Sequence, residues 1–509
     1  MSFQEHIQAG YDFEGPSICF GAAVYQNQPV QGLQVRMPLN TVNRHGVIAG
    51  ATGTGKTKSL QVFAEQLSLQ GVPCVLMDIK GDLSGLAKPG SSNKHVVHRC
   101  LAAQIDYNPT GFPVEPMSFS GEKGVAMKAT VSEFGPVLLA KILDLNDTQE
   151  SVLAVLFKYS DDHRMPLINL EDLKGLLRYA NDEGKAEIGK EYGFISPASI
   201  NAILRRIIAL EQEGGEAFFG EPSFEIQDFI RRDRDGKGVL SVIRLMDMQS
   251  KPRLFSTFML CLLTELYAKL PEEGDPEKPK LAFFIDEAHL IFQNASGPLL
   301  DQIEVIIKLI RSKGVGIFFI TQNPEDIPED ILGQCGLKIQ HALRAFTAKD
   351  RRQIKRSAEN FPISEFYNPA QGLTELGVGE AFISVLNEKG RPTPLAHTLM
   401  RPPLSRMDVI SKSELNELVK NSDLAKKYNR EIDTESAEEI LKEKIEQAEK
   451  KRGEEEKLKK HLKKAGRQRK KTEPESVLSE MSKNTMVRQI GRTIFRELTR
   501  GILGVLGAK

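Results

Sequence analysis

Residues 50–57, GATGTGKT, constrain this chain more than any other stretch. A short apolar run at 46–49 precedes them, and a helical pattern with apolar Leu60, Phe63, Ala64 and Leu67 follows. The order is strand, glycine loop, helix. Gly50, Gly55, Lys56 and Thr57 have P-loop spacing: without Cβ atoms in the way, backbone N–H groups can wrap a phosphate chain. Gly50, Ala51, Thr52, Gly53, Thr54, Gly55, Lys56, Thr57 and Lys58 are therefore the candidate nucleotide-binding positions. In that reading Lys56 reaches the β- and γ-phosphates and Thr57 holds Mg²⁺, which makes ATP and Mg²⁺ the implied ligands. The bland alternative, a glycine turn beside an unrelated lysine, leaves the flanking strand and helix unexplained.

A P-loop predicts an α/β chain, a P-loop NTPase core with a mainly parallel sheet, and parallel sheets bind ligands at the carboxyl ends of their strands. Residues 281–289, LAFFIDEAH, supply the second half of such a site. A buried strand there delivers Asp286 and Glu287 to its carboxyl end, Asp286 for the Mg²⁺ shell and Glu287 as general base for the attacking water. Residues 74–77 form another apolar run, ending in DIKGDLSGL, so Asp78, Lys80 and Asp82 are second-tier candidates; a polar turn ending a strand explains them equally well. A helix over 299–312 leads to RSKGVGIFFITQNPEDIP, with a strand at 317–320 and Thr321 and Gln322 at its end, where a polar side chain can sense the γ-phosphate. Arg311 fits either an arginine finger inserted into a neighbouring subunit's site or a cation favoured at a helix C-terminus.

Lys plus Arg equals Asp plus Glu at 68 each, so no global field recruits nucleic acid or membrane, and any basic surface is local. The five cysteines show neither close pairing nor metal-type spacing, as expected for buried thiols in a reducing, cytoplasmic compartment. The first residues lack the basic and apolar regions of a secretory signal, and the apolar helix at 254–270 is interrupted by Glu265 and Lys269, so no transmembrane segment is expected.

The remaining chain divides by composition. Residues 1–42 read as a small N-terminal β element of three short strands, 43–117 as the P-loop part of the core, and 118–235 as a large helical insertion. Within the insertion lie Arg205, Arg206, Arg231, Arg232 and Arg234, explained by a wet helix face as well as by binding. Residues 236–402 read as the second part of the core, with 331–343 an edge strand after a helix and 380–401 a closing hairpin. His45 stands where it can approach a nucleotide or sit in a solvated turn. Lys349, Arg351, Arg352, Lys355 and Arg356 form a basic helical stretch that fits a DNA-facing pore, a second arginine source for the nucleotide site or a plain charged face, without aromatic interleaving. Residues 403–472 read as a charged helical linker with a basic block at 459–471, and 473–509 as a helical C-terminal tail whose amphipathic basic helix, 486–506, suits an anionic membrane or docking on the core.

GATGTGKT, the DIKGD strand end, FFIDEAH and RSKGVGIFFITQNP, in this order, resemble the HerA/FtsK superfamily of P-loop ATPases, most closely the bacterial HerA-like (YjgR-type) proteins. The resemblance spans about residues 46–400 and implies a RecA/ASCE-like core with an additional strand, a homo-oligomeric ring, expected to be a hexamer, and sites shared between subunits. It implies Lys56 and Thr57 on nucleotide and Mg²⁺, Asp286 and Glu287 as the Walker B pair, Gln322 as sensor and Arg311 as a finger acting in trans. DNA, and a nuclease or other protein partner, are the partners it suggests. The departure is N-terminal, where archaeal HerA-type translocases carry a longer β-barrel domain than residues 1–42 can form. Two functions follow as expectations: a ring ATPase that moves DNA as a translocase or helicase, or a nucleotide-gated scaffold with slow hydrolysis.

Overall fold

The structure is a computed structural model that describes residues 1–469 apart from 119–122, 247, 249–250, 275, 294–296, 431 and 433–434. It divides into two compact units, 1–440 and 441–509. The first carries every strand described: β1 Ser17–Tyr25, β2 Gln28–Pro38, β3 Gly46–Ala49, β4 Cys74–Asp78, β5 Val114–Ser118, β6 Val125–Ala126, β7 Leu240–Arg244, β8 Leu281–Ile285, β9 Val315–Thr321, β10 Leu337–Gln340, β11 Glu380–Ser384 and β12 Ala396–Met400. The second is represented by most of one long helix, Ala437–Arg469. The expectations for residues 473–509 and for the end of the basic block lie outside the described residues.

The strands form one sheet in the order β2-β1-β12-β11-β10-β3-β9-β8-β4-β7-β5-β6. From β10 to β6 every pairing is parallel, and from β10 to β2 every pairing is antiparallel. β3, β4, β8 and β9 are buried at every position, which is why their sequences are unbroken apolar runs rather than alternating ones. β9 separates the P-loop strand β3 from the acid-bearing strand β8, as an additional-strand core requires.

Two sequence expectations change here. Residues 17–38 make two strands instead of three, and β1 pairs with β12, so the N-terminal segment continues the main sheet. Residues 337–340 are not at an edge: β10 is paired with β3 on one side and β11 on the other. An N-terminal helix, Phe3–Tyr11, started by a Ser2/Glu5 capping box, escaped the sequence reading. The insertion between β6 and β7 holds the helices Val131–Ile142, Asp147–Asp162, Leu170–Asn181 and Pro197–Gln212, the first three each opened by a capping box. Arg206 and Arg231 pair with Asp144 and Glu115, and Arg232 donates to the Gly71 carbonyl, so these arginines tie the insertion together and to the core.

The helix Lys56–Leu69 lies on this sheet through Phe63. That ring is fully buried and makes edge contacts with Phe20, Phe284 and Phe318 at centroid distances of 5.2, 5.2 and 4.6 Å. Phe284 is in β8 and Phe318 in β9, so one side chain keys the P-loop helix onto both neighbouring strands.

His45 approaches neither ligand nor solvent. It is buried with a left-handed φ of 53°, Nε2 2.9 Å from the Ile307 carbonyl and Nδ1 accepting from the Ile317 N–H at 3.0 Å. It joins the helix Gly297–Ile310 to β9. His341 is equally buried, with Nε2 2.8 Å from Ser59 Oγ and Nδ1 2.8 Å from the Glu380 carbonyl. Burial, outweighing hydrogen bonding, pushes both imidazoles down to about 4 from 6.5. A depressed folded pKa gives stability that is present above the unfolded value and lost as pH falls through the folded one. Thermal melts should therefore show the melting temperature dropping from pH 6.5 toward pH 4, by roughly a few kcal/mol of stability. The double variant His45→Asn, His341→Asn should flatten that slope; a slope equal to the parent's would show that other groups drive it.

Candidate nucleotide site

The loop between β3 and its helix is shaped by three glycines with positive φ, Gly50 at 152°, Gly53 at 78° and Gly55 at 118°. A Cβ on Gly50 would stand 2.6 Å from the His341 Cβ, so close approach as well as dihedral angle excludes a side chain there. The Ala51 N–H donates to the Ala342 carbonyl at 2.9 Å, and Thr54 Oγ1 donates to the Ala51 carbonyl at 2.7 Å, which curls the loop over its own centre. Lys56 Nζ sits inside the curl and donates to the Gly50 and Ala51 carbonyls at 2.6 and 3.1 Å. Gly55 caps the helix without a side-chain hydrogen bond, so the first helical N–H groups are left for an anion. Thr57 is half-buried in the first turn.

Strand register brings the acids to this loop. Ala49 pairs with Thr321, and Ile285 pairs with Phe319, so Asp286 and Glu287 emerge at the level where the P-loop begins, one strand away. Both are buried. Asp286 Oδ2 and Glu287 Oε2 have no hydrogen-bond partner among the described residues, which is the condition of groups awaiting a ligand. Burial pushes the Asp286 carboxyl up to about 7, overriding the pull of Lys80. Glu287 has φ 48°, a left-handed conformation that costs a non-glycine residue roughly 1–3 kcal/mol and aims this side chain off the strand end.

Lys80 completes the cluster. Its ammonium forms an ion pair with Glu287 Oε1 and lies 4.0 Å from Asp286 Oδ2, while His289 Nδ1 lies 3.3 Å from Glu287 Oε2. Burial alone would lower Lys80, and the two carboxylates outweigh it and hold the pKa up. Lys56 moves the other way: burial and the nearby Lys80 cation lower it, partly offset by Glu287 and Asp286. Asp78 is a loop organiser, with Oδ1 accepting from the Gly81 and Asp82 N–H groups and Oδ2 from Leu83 at 2.7, 3.1 and 3.1 Å.

Not every expected residue joins. The Lys58 ammonium donates to Gln61 Oε1 and to the Met407 carbonyl, away from the phosphate loop, so its side chain is removed from the phosphate-binding set. The reason is tertiary: residues 404–407 lie along that face of the helix, where Glu65 accepts from the Leu404 and Ser405 N–H groups at 2.7 and 3.0 Å and Gln61 donates to Ser405 Oγ and the Arg406 carbonyl. Gln322 is exposed just past β9, and its neighbour Thr321 is tied to Asp326 Oδ2 at 2.8 Å. Arg311 precedes β9, at the amino edge of the parallel strands, in a cleft of about 560 Å³ shared with Arg44, Lys308 and Lys338. The strand carries it to the side opposite its own P-loop. The basic helix Ala348–Glu359 exposes Lys349, Arg351, Arg352, Lys355 and Arg356, with Arg356 3.7 Å from Glu325. Phe346, just before it, is 85% exposed, an aromatic the sequence reading did not attach to this stretch.

Comparison with known proteins gives the family. The family described as Helicase HerA-like C-terminal matches residues 24–509. The chain belongs to that HerA-like family. Among curated relatives, this HerA-like chain is 22% identical over 371 residues to the DNA double-strand break repair helicase HerA of Sulfolobus acidocaldarius, and 24% identical over 357 residues to the protein of that name from Sulfurisphaera tokodaii. Each alignment takes in 69% of this chain and 64% of the relative, so the chain spans less than two thirds of their length. The bacterial conjugative coupling protein TrwBdeltaN70 shares the fold with a TM-score of 0.51 at 15% identity, over 81% of this chain and 95% of that one. No described helix is long and apolar enough to cross a membrane, and no described group of three or more His, Cys, Asp or Glu is arranged to hold a metal ion. A Mg²⁺ ion completed by substrate phosphates and water needs only one or two protein ligands, and the unpartnered Asp286 oxygen with the Thr57 hydroxyl suits it.

Proposed function

We propose that this HerA-like chain is a Mg²⁺-dependent ATPase whose homo-oligomeric ring, a hexamer in this reading, acts on DNA. The observation that carries the chemistry is the convergence of the P-loop with two buried carboxylates, each with an oxygen that accepts no hydrogen bond among the described residues, across a single intervening strand. The glycine loop and the free helical N–H groups bind the phosphates. Lys56 exchanges the Gly50 and Ala51 carbonyls for phosphate oxygens, a stronger partner for a buried ammonium. Thr57 and Asp286 hold the Mg²⁺, which supplies neutralisation of charge developing on the phosphate oxygens. Glu287 takes the proton of the attacking water, and Gln322 helps to place that water.

For the base to act, Glu287 must leave Lys80. Arg311, on the sheet edge away from its own loop, reaches a triphosphate only on another copy of the chain, and this supports a ring with shared sites. The exposed cations of Ala348–Glu359 beside Phe346 support DNA contact, phosphate charge on the former and base stacking on the latter. The curated relatives are named as DNA repair helicases.

Removing the base while leaving the binding apparatus intact separates chemistry from affinity. Glu287→Gln should bind ATP normally and lose about 10²–10⁴-fold in turnover, whereas Lys56→Ala should lose tight ATP binding. Normal turnover in Glu287→Gln would refute its role as base.

Mixed subunits test the finger. Arg311→Ala and Glu287→Gln are each expected to be inactive alone, and mixing them should restore part of the ATPase rate, because some interfaces then pair an intact base with an intact finger. Absence of rescue at every mixing ratio would make Arg311 a structural residue.

Turnover with and without duplex DNA tests the motor reading against a nucleotide-gated scaffold. DNA should stimulate the parent protein, and Arg352→Ala should lose the stimulation, with basal rate kept. Indifference to DNA from low to physiological salt would favour the scaffold.

A further inference from the structure

Two ammonium groups stand beside the acids, and they arrive from opposite sides. In the sheet order β3-β9-β8-β4, Lys56 comes from the β3 side and Lys80 from the end of β4, so the acid-bearing strand β8 lies between them. Met77 pairs with Ile285, which brings the ends of β4 and β8 to one level. There Lys80 pairs with Glu287 Oε1 and lies 4.0 Å from Asp286 Oδ2. The two ammoniums also feel each other, since the Lys80 cation is one of the causes that lower Lys56. Like charges brought together in a partly buried place are costly, and an anion between them removes the cost.

The backbone under Lys80 is fixed. Asp78 accepts from the Gly81, Asp82 and Leu83 N–H groups, and Ile79 is buried. Gly81 has φ 77°, and a Cβ there would stand 2.5 Å from Met246 Sδ, so the turn that follows Lys80 has little freedom to shift. The side chain is differently placed. It is 37% exposed on a flexible four-carbon stem, whereas Lys56 is buried and held by two loop carbonyls.

Reach decides what such a side chain touches. A water activated by Glu287 lies about 3 Å from that carboxylate and about 3–3.5 Å from the phosphorus that it attacks. An ammonium already against Glu287 Oε1 therefore meets an oxygen of that phosphoryl group after a displacement of about 3 Å, within the swing of a lysine stem. The same movement frees the base: Oε1 loses its cation while Oε2 keeps His289 Nδ1 at 3.3 Å. The diphosphate part of a nucleotide stays with the loop amides and Lys56.

We propose that Lys80 is a catalytic residue of the hydrolysis, leaving Glu287 to bind the terminal phosphate held by its own chain and so telling a triphosphate from a diphosphate. The inference rests on the ATPase reading of the P-loop and the acids. Charge favours the transfer, because a phosphoryl group carries more negative charge than a carboxylate and offers several strong acceptor oxygens to an ammonium. A diphosphate has no group at that position. After phosphate departs, Lys80 returns to Glu287, and the ion pair of the empty chain is also the resting state of the ADP-bound one.

The test is equilibrium binding of ADP and of a non-hydrolysable ATP analogue, each with Mg²⁺, to the full chain and its variants, with melting curves to confirm folding. Lys80→Met, or Lys80→Gln if the first does not fold, should weaken the analogue at least tenfold, leave ADP within threefold of the parent, and lower ATP turnover at least tenfold. Lys80→Arg should recover part of the analogue's affinity. The loss should persist when Lys80→Met is placed in Glu287→Gln, where no carboxylate is left for Lys80 to neutralise. A loss that vanishes in that background would overturn the proposal, because Lys80 would then act only by compensating the base. Equal losses for ADP and the analogue, no loss, or faster turnover in Lys80→Met would overturn it as well. Lys56→Ala is the independent arm: if it binds both nucleotides as tightly as the parent, the P-loop reading itself fails, a result distinct from any Lys80 variant.

Discussion

The seating of Phe63 among Phe20, Phe284 and Phe318 is the contact on which the site's geometry depends. The P-loop and the Asp286–Glu287 pair come from distant parts of the chain, so neither can set the other's position through local backbone geometry. Edge contacts from one ring to two strands do so instead, each contributing about 0.5–1.5 kcal/mol beyond the burial of the ring itself. Aromatic contacts also have preferred directions, so they resist sliding and tilting in a way that aliphatic packing does not. Angstrom-level placement of the loop against the acids follows from a core that tolerates few alternative arrangements.

Electrostatics explains why the site is stable without substrate. Two lysines and two carboxylates are gathered in a largely buried place, where an unpaired charge is expensive. Three responses share the cost: Lys56 is solvated by loop carbonyls, Lys80 neutralises Glu287, and Asp286 gains a proton more readily than a carboxylate in water. In the function proposed here, each of these partners is exchanged for one on a magnesium nucleotide. The charges of the cluster are thus balanced within the chain, while one oxygen of each carboxylate is left without a hydrogen bond among the described residues.

Much of the core was legible because strands buried on both faces leave continuous apolar runs, and β3, β4, β8 and β9 all announced themselves that way. The P-loop and the acids were legible because their chemistry demands fixed spacing. Pairing partners were not. Residues 337–340 look like an edge strand in isolation, since nothing local reveals that β11 returns beside them or that β1 and β2 extend the sheet beyond. His45 looks like a turn residue because its two hydrogen bonds run to Ile307 and Ile317, far along the chain. Lys58 adjoins the P-loop in sequence, and only the tertiary placement of residues 404–407 shows where its ammonium goes. Arg311 was legible as a cation near a strand, while only the direction of that strand shows that it stands at the edge of the sheet away from its own P-loop.

The bond between Lys58 and the Met407 carbonyl joins positions 349 residues apart. On a ribosome adding about 5–20 residues per second, the helix that begins the phosphate loop waits on the order of tens of seconds for the segment that covers its polar face. During that interval the bonds that Gln61 and Glu65 make to residues 404–406 cannot form. The outward face of that helix is thus among the last parts of the first unit to find its partners, long after the strands on either side of it have been made.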